Sequence, residues 1–375
     1  MKDFKQLKIM TIVGTRPELI RLSCIIPKMD EYFNHIFVYT KQSYDYELSD
    51  IFFEELSLRK PDYLLDVKSE TFGGQIANII EQTESVFIKE KPDAFLVLGD
   101  TNSSLSAINA KRLKIPIFHM EAGNRSFDWN VPEEVNRRIV DHISDYNLCY
   151  TEHARRYLIK EGIDPQTIFV TGSPFAEIFP HFKKEIDSSK ILKNLNIFPQ
   201  KYFLVSCHRE ENVDNEDNLR ELFSSFEYLA DMYNLSIIVS LHPRSKKRLE
   251  EAKISVNSLV KLAKPFGYFE YNKLQQNAYC VLSDSGSIQE ESAILGFKAV
   301  QIRVSTERPE AFDSGSIILA GFNRNAIVNA VKLVIKQKEL GEALVLPRDY
   351  QDRNVSTKVV KLIMGLGSIR KYHNR

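Results

Sequence analysis

Short aliphatic runs that alternate with longer amphipathic segments are the feature that most restricts the fold of this chain. The runs KIMTIVG, HIFVYT, AFLVLGD, IPIFHM and YNLCYT are typical of buried parallel strands. The segments QIANIIEQTESVFIKE and SSLSAINAKRL, which separate some of them, are typical of crossover helices. The alternation predicts a doubly wound α/β domain, with a parallel sheet between helical layers.

The same pattern begins again in the second half, with the runs YFLVSCH, LSIIVSLH, AYCVLSDSG and KAVQIRV. It predicts two Rossmann-like domains over residues 1–172 and 173–355, and a final helix and tail over 356–375 that can pack back on the first domain. A chain of 375 residues is long enough for two hydrophobic cores. Ligands of open parallel sheets bind beyond the carboxyl ends of the strands, so we expect the two domains to face a substrate across a cleft.

Composition excludes several classes of partner. The 50 basic and 50 acidic side chains balance, which gives no reason to expect nucleic acid or an anionic membrane. The first residues lack the apolar region of a signal peptide, and no window is long and apolar enough to span a bilayer. The four cysteines form no CxxC pair, and the eight histidines lack metal-ligand spacing. We therefore expect a cytoplasmic protein without a metal.

Charged residues follow the predicted strands of the first domain. Arg16, just after the first strand, suits either a salt bridge at a helix end or a bidentate contact to phosphate. Asp100 is either a helix N-cap or a carboxylate directed at a ligand, since Thr101 and the serines after it can cap the helix instead.

The segment HMEAGNRSFDWNVPEEVNRR, residues 119–138, is the most highly charged of these strand ends. Glu121 ends a run that is otherwise expected to be buried, and a carboxylate there must be paired or functional. Glu133 fits the first turn of a helix whose apolar stripe is Val135, Ile139 and Ile143. Like charges on Asp100, Glu121 and Glu133 would push some pKa values upward, which suits acid–base chemistry.

The second domain repeats this arrangement with groups that suit an anion. His208 and Arg209 follow one strand, and His208 is equally consistent with a structural and a catalytic role. Gly286 between two serines opens a helix, where backbone N–H groups and hydroxyls either cap the helix or hold a phosphate. Glu290 lies one turn later, where it suits ribose hydroxyls, and Arg303, Thr306, Glu307 and Arg308 follow the next strand. Together these groups indicate a nucleotide-diphosphate sugar as ligand.

The motifs GTRPE, GDT, HMEAGNR, PEEVNR, HREEN, SDSGSIQEE and TERPEA occur here in the same order as in the non-hydrolysing UDP-N-acetylglucosamine 2-epimerases, which the chain resembles over nearly its whole length. The resemblance implies the GT-B fold, a homodimer, a UDP-activated amino sugar as substrate and no cofactor. It implies acid–base roles for Asp100, Glu121 and Glu133, and support of the diphosphate or of proton transfer by His208. The implied UDP-binding set is Arg16, Arg21, Arg209, Asn212, His242, Ser285, Gly286, Ser287, Glu290, Arg303 and Arg308.

Some positions depart from the usual family pattern. Arg21 replaces a lysine, Glu210 an arginine and Ser287 a glycine, and QSYDYE stands where QHR is common. In the family, the position of Glu210 and that of the QHR motif belong to a regulatory substrate site. We therefore do not expect this protein to be activated by substrate bound at such a site. The stretches VGTRPELIRLS, SYDYELSDIFFEELSLRKPDY and HMEAGNRSFD resemble the UDP-N-acetyl-L-fucosamine synthase subgroup, in capsule and O-antigen pathways. Phe127 and Trp129 suit either a pocket for the methyl group of a 6-deoxy sugar or core packing.

Other functions remain open at this point. A UDP-GlcNAc 2-epimerase that forms UDP-ManNAc has the same motifs. A GT-B glycosyltransferase needs the same UDP site but only one base. A hydrolysing epimerase releases UDP and free sugar, and a UDP-sugar sensor binds without turnover. An NAD-dependent oxidoreductase is disfavoured because the loop after the first strand lacks GxGxxG.

Overall fold

The computed structural model describes residues 7–42, 52–241, 243–342 and 344–373. The chain divides into two compact units. The first unit comprises Met1–His181 and Gln351–Arg375, and the second comprises Phe182–Tyr350. This division places residues 173–181 with the first unit, although the sequence pattern suggested a boundary at 172.

The first unit is built on a parallel sheet of seven strands in the order β3-β2-β1-β4-β5-β6-β7. The strands are β1 Lys8–Val13, β2 Asn34–Tyr39, β3 Tyr63–Leu64, β4 Ala94–Leu98, β5 Ile117–Met120, β6 Tyr146–Cys149 and β7 Ile168–Val170. The helices are α1 Arg16–Leu22, α2 Ile25–Tyr32, α3 Phe72–Glu90, α4 Ala107–Arg112, α5 Glu133–Ile143, α6 Glu152–Lys160 and α7 Phe175–His181. The change of strand order at β1 and β4 is the topological switch point where ligands of such sheets bind.

The second unit contains a parallel sheet of five strands in the order β10-β9-β8-β11-β12. Its strands are β8 Tyr202–Ser206, β9 Ser236–Ser240, β10 Val260–Ala263, β11 Cys280–Ser283 and β12 Ala299–Gln301. Its helices are α8 Lys183–Ser188, α9 Ile191–Asn194, α10 Glu210–Val213, α11 Glu216–Tyr233, α12 Pro243–Glu251, α13 Tyr268–Asn277, α14 Ile288–Leu295, α15 Pro309–Asp313 and α16 Arg324–Glu339. The last helix of the chain, α17 Val355–His373, packs on α2 of the first unit.

The central strands of both sheets are buried on both faces, as their continuous aliphatic runs predict. Every residue of β4 is buried, and so are the first four residues of β8. In the second unit, one apolar cluster lies between the sheet and helices α11 and α16, and another fills the opposite face. Because each strand is held on both faces, the strand ends are fixed points from which functional side chains project.

All four cysteines are free thiols, and Cys149, Cys207 and Cys280 are buried in the cores. No helix among the described residues combines the length and the apolar character needed to cross a bilayer. The described residues likewise contain no group of three or more His, Cys, Asp or Glu side chains arranged to hold a metal ion.

Candidate active site

Two adjacent strands of the first unit, β4 and β5, are each followed by a candidate acid–base residue. Strand β4 pairs with β1 on one side and with β5 on the other. Asp100 stands two residues after β4, and Glu121 follows β5 directly. Glu121 has a φ of 65°, in the left-handed region that non-glycine residues seldom adopt. Strain of this kind persists only where the surroundings impose it, and it is concentrated at functional sites.

Asp100 is held by α5 while its carboxylate stays partly open to solvent. Arg137 Nε donates to Asp100 Oδ2 over 2.6 Å, and Asn136 Nδ2 donates to the Asp100 carbonyl over 2.9 Å. The N-cap position of the following 3₁₀ turn, Asn102–Ser106, is occupied by Thr101 and not by Asp100. The Asp100 side chain is 24% exposed. This carboxylate is therefore oriented but available for contact with a ligand.

Glu121 is held in a similar way by its own arginine. Arg21 Nε lies 3.5 Å from Glu121 Oε2, and Asn124 Nδ2 donates to Oε1 over 3.3 Å. The Arg21 guanidinium also lies 5.8 Å from the ring centre of Phe175. The sequence left open whether Glu121 is paired, and it predicted repulsion among the carboxylates. In the structure, Asp100 and Glu121 each have an arginine partner.

The two remaining candidates of this unit lie at helix starts. Arg16 is the first residue of α1, and its guanidinium lies over the Phe52 ring at 5.0 Å. Glu133 is the first residue of α5, and its side chain is partly exposed. The contacts of Asn136 and Arg137 with Asp100 come from the next turn of the same helix. Helix α5 thus carries one candidate carboxylate and positions another.

Glu18, which the sequence analysis did not single out, connects the loop after β1 with the loop after β4. Its Oε2 accepts from the backbone N–H groups of Gly14 and Thr15 over 3.0 and 2.8 Å, and Thr101 Oγ1 donates to Oε1 over 3.2 Å. Burial raises the pKa of the Glu18 carboxyl from 4.5 to about 7, although the hydrogen bonds oppose the shift. The signal for this role was the Thr-x-x-Glu spacing of a capping box within GTRPE.

This raised pKa predicts that the fold becomes less stable as the pH rises through neutrality. A carboxyl whose folded-state pKa is raised contributes its full stabilisation below pH 4.5 and loses it as the pH passes about 7. We expect wild type to lose about 3 kcal/mol relative to Glu18→Gln between pH 4.5 and 8, at about 1.4 kcal/mol per pKa unit. Urea unfolding at several pH values measures the difference. Parallel pH profiles for the two proteins would contradict the expectation.

Most of the charge in residues 119–138 belongs to a buried network of alternating signs. Arg137 Nη1 donates to Glu134 Oε2 over 3.0 Å, and Arg138 Nη2 donates to Glu134 Oε1 over 2.9 Å. From Arg138 the network continues as a series of buried or half-buried ion pairs, in which each residue contacts the next: Arg138, Glu161, Arg125, Asp141 and His119. It connects Asp100, through Arg137, to the end of α6.

Asp141 is the buried end of this network. It accepts from Arg125 Nη1 over 2.7 Å and from the Gly123 N–H over 3.2 Å, and its Oδ1 lies 2.9 Å from His119 Nδ1. Burial would raise the pKa of Asp141, but the contacts with His119 and Arg125 outweigh it and hold the pKa below its ordinary value. These contacts hold the segment that follows Glu121 in place.

The predicted apolar stripe of α5 is wrong at Val135 and Ile139, whereas Ile143 packs against the core as predicted. Val135 and Ile139 are 45% and 38% exposed, whereas Glu134, Arg137 and Asp141 on the other side of the helix are buried. The helix turns its charged side inward because the strand ends provide partners for those charges. Phe127 and Trp129 are also exposed, at 61% and 67%, so the core-packing alternative for them is wrong.

In the second unit, the carboxylate of Asp284 organises the segment after β8. Asp284 Oδ2 accepts from the backbone N–H groups of His208 and Arg209 over 2.8 and 2.9 Å, and from Asn212 Nδ2 over 2.8 Å. Asp284 Oδ1 lies 3.2 Å from His208 Nδ1, while the His208 side chain is 47% exposed. The sequence analysis overlooked Asp284, although its place directly after β11 was a signal for such a role.

The predicted phosphate loop lies between β11 and α14. Helix α14 begins at Ile288, with Ser287 at its N-cap position. Ser285 Oγ lies 2.9 Å from Ser287 Oγ, and Ser287 Oγ donates to Glu291 Oε1 over 2.8 Å. Gly286 is closely packed, because a Cβ there would lie 2.4 Å from Glu307 Oε1. Ser285, Gly286 and Ser287 are therefore at the start of a helix, as an anion site requires.

Four of the candidates, Arg209, Glu290, Arg303 and Arg308, form buried or partly buried ion pairs beside this loop. Arg308 Nη2 lies 3.0 Å from Glu290 Oε2, and both side chains are buried. Arg303 Nη1 lies 3.1 Å from Glu307 Oε2. Arg209 Nη2 lies 3.6 Å from the other oxygen of Glu307. The second unit thus brings together all of its predicted site residues except His242, which lies outside the described residues.

Comparison with known proteins identifies the family to which this chain belongs. The family model described as UDP-N-acetylglucosamine 2-epimerase matches residues 27–364. A curated UDP-N-acetylglucosamine 2-epimerase of Methanocaldococcus jannaschii is 40% identical, and the match covers 88% of this chain and 93% of the relative.

Solved structures agree with this assignment. The UDP-N-acetylglucosamine 2-epimerase of Rickettsia bellii is 46% identical with a TM-score of 0.89, covering 97% of this chain and 98% of that one. The M. jannaschii enzyme in complex with UDP-GlcNAc and UDP is 37% identical with a TM-score of 0.89, covering 96% and 99%. This chain, with its two Rossmann-like α/β domains of the GT-B class, belongs to the non-hydrolysing UDP-N-acetylglucosamine 2-epimerase family, whose members are isomerases acting on UDP-sugars.

Proposed function

We propose that the protein interconverts UDP-2-acetamido-2,6-dideoxy-L-talose and UDP-N-acetyl-L-fucosamine, for capsule or O-antigen synthesis. The observation that carries the acid–base part of this proposal is the pairing of Asp100 and Glu121 with separate arginines at neighbouring strand ends. The substrate part is supported by the stretches VGTRPELIRLS and HMEAGNRSFD, which resemble the L-fucosamine subgroup. Exposed Phe127 and Trp129 in the loop before α5 offer apolar surface to a 6-methyl group.

The reaction needs an elimination, because no carbonyl group beside C2 makes its hydrogen acidic. A carboxylate removes the C2 proton while the C1–O bond breaks, and the bonding electrons leave with UDP. The products of this step are a 2-acetamidoglycal and UDP. A proton then returns to the opposite face of C2 and UDP adds back to C1, which yields the epimer without any net consumption of water.

We assign the proton transfers to Asp100, Glu121 and Glu133 in the first unit. We assign the support of the diphosphate to residues of the second unit. His208 is partly exposed, and Asp284 fixes its backbone and faces its ring. This suits contact with the leaving diphosphate, as do Arg209, Ser285, Gly286 and Ser287. A positioned acid or base contributes about 10²- to 10⁴-fold in rate, and support of the leaving group contributes on a similar scale.

A second candidate substrate is UDP-GlcNAc, which would give UDP-ManNAc. It is favoured by the relative that was solved with UDP-GlcNAc and UDP, and by the names of the curated relatives. The two substrates differ at C6, where a methyl group replaces a hydroxymethyl group, and in the configuration of the ring. A site built to bind the hydroxyl group would leave polar groups unpaired beside a methyl group.

Steady-state kinetics with both UDP-sugars tests this choice. We expect a kcat/KM for UDP-N-acetyl-L-fucosamine at least about tenfold above that for UDP-GlcNAc, equivalent to about 1.4 kcal/mol in transition-state binding. A larger kcat/KM for UDP-GlcNAc would replace the L-fucosamine proposal with the second candidate.

We further propose that the protein is a homodimer. Light scattering of the purified protein measures its mass in solution and tests this proposal.

A further inference from the structure

The carboxylate of Glu307 lies among the groups that we propose hold UDP. Its Oε2 is 3.1 Å from Arg303 Nη1, and its Oε1 is 3.6 Å from Arg209 Nη2. The Glu307 side chain is only 8% exposed. One buried carboxylate therefore lies against two of the arginines expected to meet a diphosphate.

The same carboxylate is packed against the backbone of the phosphate loop. A Cβ built on Gly286 would lie 2.4 Å from Glu307 Oε1 and 3.6 Å from Arg209 Nη2. Gly286 precedes the N-cap residue of α14, so Glu307 brings negative charge to the positive end of that helix. The loop that suits an anion therefore already has an anionic side chain beside it, the carboxylate of Glu307.

A diphosphate and the Glu307 carboxylate repel each other, and both are attracted by Arg209 and Arg303. Bringing them together in a buried place would set two like charges against each other beside the same two arginines. A ligand that takes over the two arginines therefore has to displace Glu307 or weaken its ion pairs. Binding then exchanges one anion for another, and the cost of separating the first ion pairs reduces the net affinity.

We propose that Glu307 is an exchangeable counterion of the UDP site. It neutralises and orients Arg209 and Arg303 through the observed ion pairs, and the diphosphate replaces it on binding. When the nucleotide leaves, Glu307 restores the ion pairs, so it favours release and weakens the affinity for UDP. This inference rests on the proposed function, because it takes the second unit to be the UDP-binding half.

The substitution Glu307→Gln separates this role from a purely supporting one. Glutamine keeps the size of the side chain and removes its charge. If Glu307 competes with the diphosphate, the Kd for UDP measured by calorimetry falls about three- to tenfold. If Glu307 only holds the arginines in place for the ligand, the Kd rises. Uridine has no phosphate, so its Kd is expected to be the same for both proteins.

The matched control is Glu339→Gln, which makes the same charge change in an exposed ion pair with Lys336 on α16. We expect the UDP affinity of this variant to equal that of wild type. An unchanged or weaker UDP affinity in Glu307→Gln, or an equal gain in affinity for uridine, would overturn the inference. The proposed function would still stand in that case, provided that the wild-type protein binds UDP. A wild-type protein that does not bind UDP would overturn both.

Discussion

Asp100→Asn is expected to lower kcat for 2-epimerisation by about 10²- to 10⁴-fold, because asparagine cannot exchange a proton with C2. The fold should tolerate the change, since Arg137 keeps Glu134 as a partner at 3.0 Å. The affinity for UDP should stay within about twofold of wild type, because Asp100 is assigned to proton transfer and other residues are assigned to the UDP contacts. Initial rates measured by chromatography of the two UDP-sugars give kcat, and calorimetry gives the UDP affinity.

The control for this variant is Asp164→Asn. Asp164 is exposed and caps the 3₁₀ turn Pro165–Thr167, and asparagine caps such turns about as well as aspartate. We expect this control to retain wild-type kcat. A loss of less than about tenfold in Asp100→Asn would show that Asp100 does not transfer the proton.

Asp141→Asn is expected to destabilise the first unit by about 3–5 kcal/mol, because it removes one partner of a buried ion pair. The Arg125 and Asp141 side chains are both fully buried. Since the folded-state pKa of Asp141 is lowered, this stabilisation is present at neutral pH and is lost as the pH falls through that pKa. The destabilisation should therefore shrink in acid.

The chain's one tryptophan makes this measurement specific to the first unit. Trp129 lies in that unit, and the Arg138 guanidinium stands 4.9 Å from its ring. Urea unfolding followed by tryptophan fluorescence thus reports on the region that the network holds. Asp164→Asn again serves as the control, with an expected change within about 0.5 kcal/mol. Equal unfolding midpoints for Asp141→Asn and wild type would contradict the stabilising role of the network.

The sequence predicted the strands that lie inside the two sheets and missed three that lie at their edges. Long aliphatic runs such as AFLVL are unmistakable because burial on both faces excludes polar residues. The missed strands β3, β7 and β10 have two, three and four residues, and β10 exposes both of its central side chains. Strands of two to four residues are too short to show a periodicity that separates them from loops.

Helix α5 shows why part of the site escaped prediction. Apolar residues spaced four apart suggested a buried stripe, but the side of the helix that packs inward is charged. Periodicity assumes that the interior is apolar, and here the interior beside β4 and β5 contains ion pairs. Partners such as Arg137 for Asp100 are distant in sequence, so only the folded chain brings them together. The same reason hid the contacts of Asp284 with His208 and of Glu307 with Arg209.

The proposed function requires that the protein breaks and remakes the C2–H bond of a UDP-sugar without losing UDP. Proton NMR of the purified protein with UDP-N-acetyl-L-fucosamine in heavy water tests it most directly. We predict that deuterium appears at C2, that signals of a second UDP-sugar epimer grow in, and that Asp100→Asn abolishes both changes. Release of free UDP with reducing sugar, or no exchange at C2 of either this substrate or UDP-GlcNAc, would contradict the account.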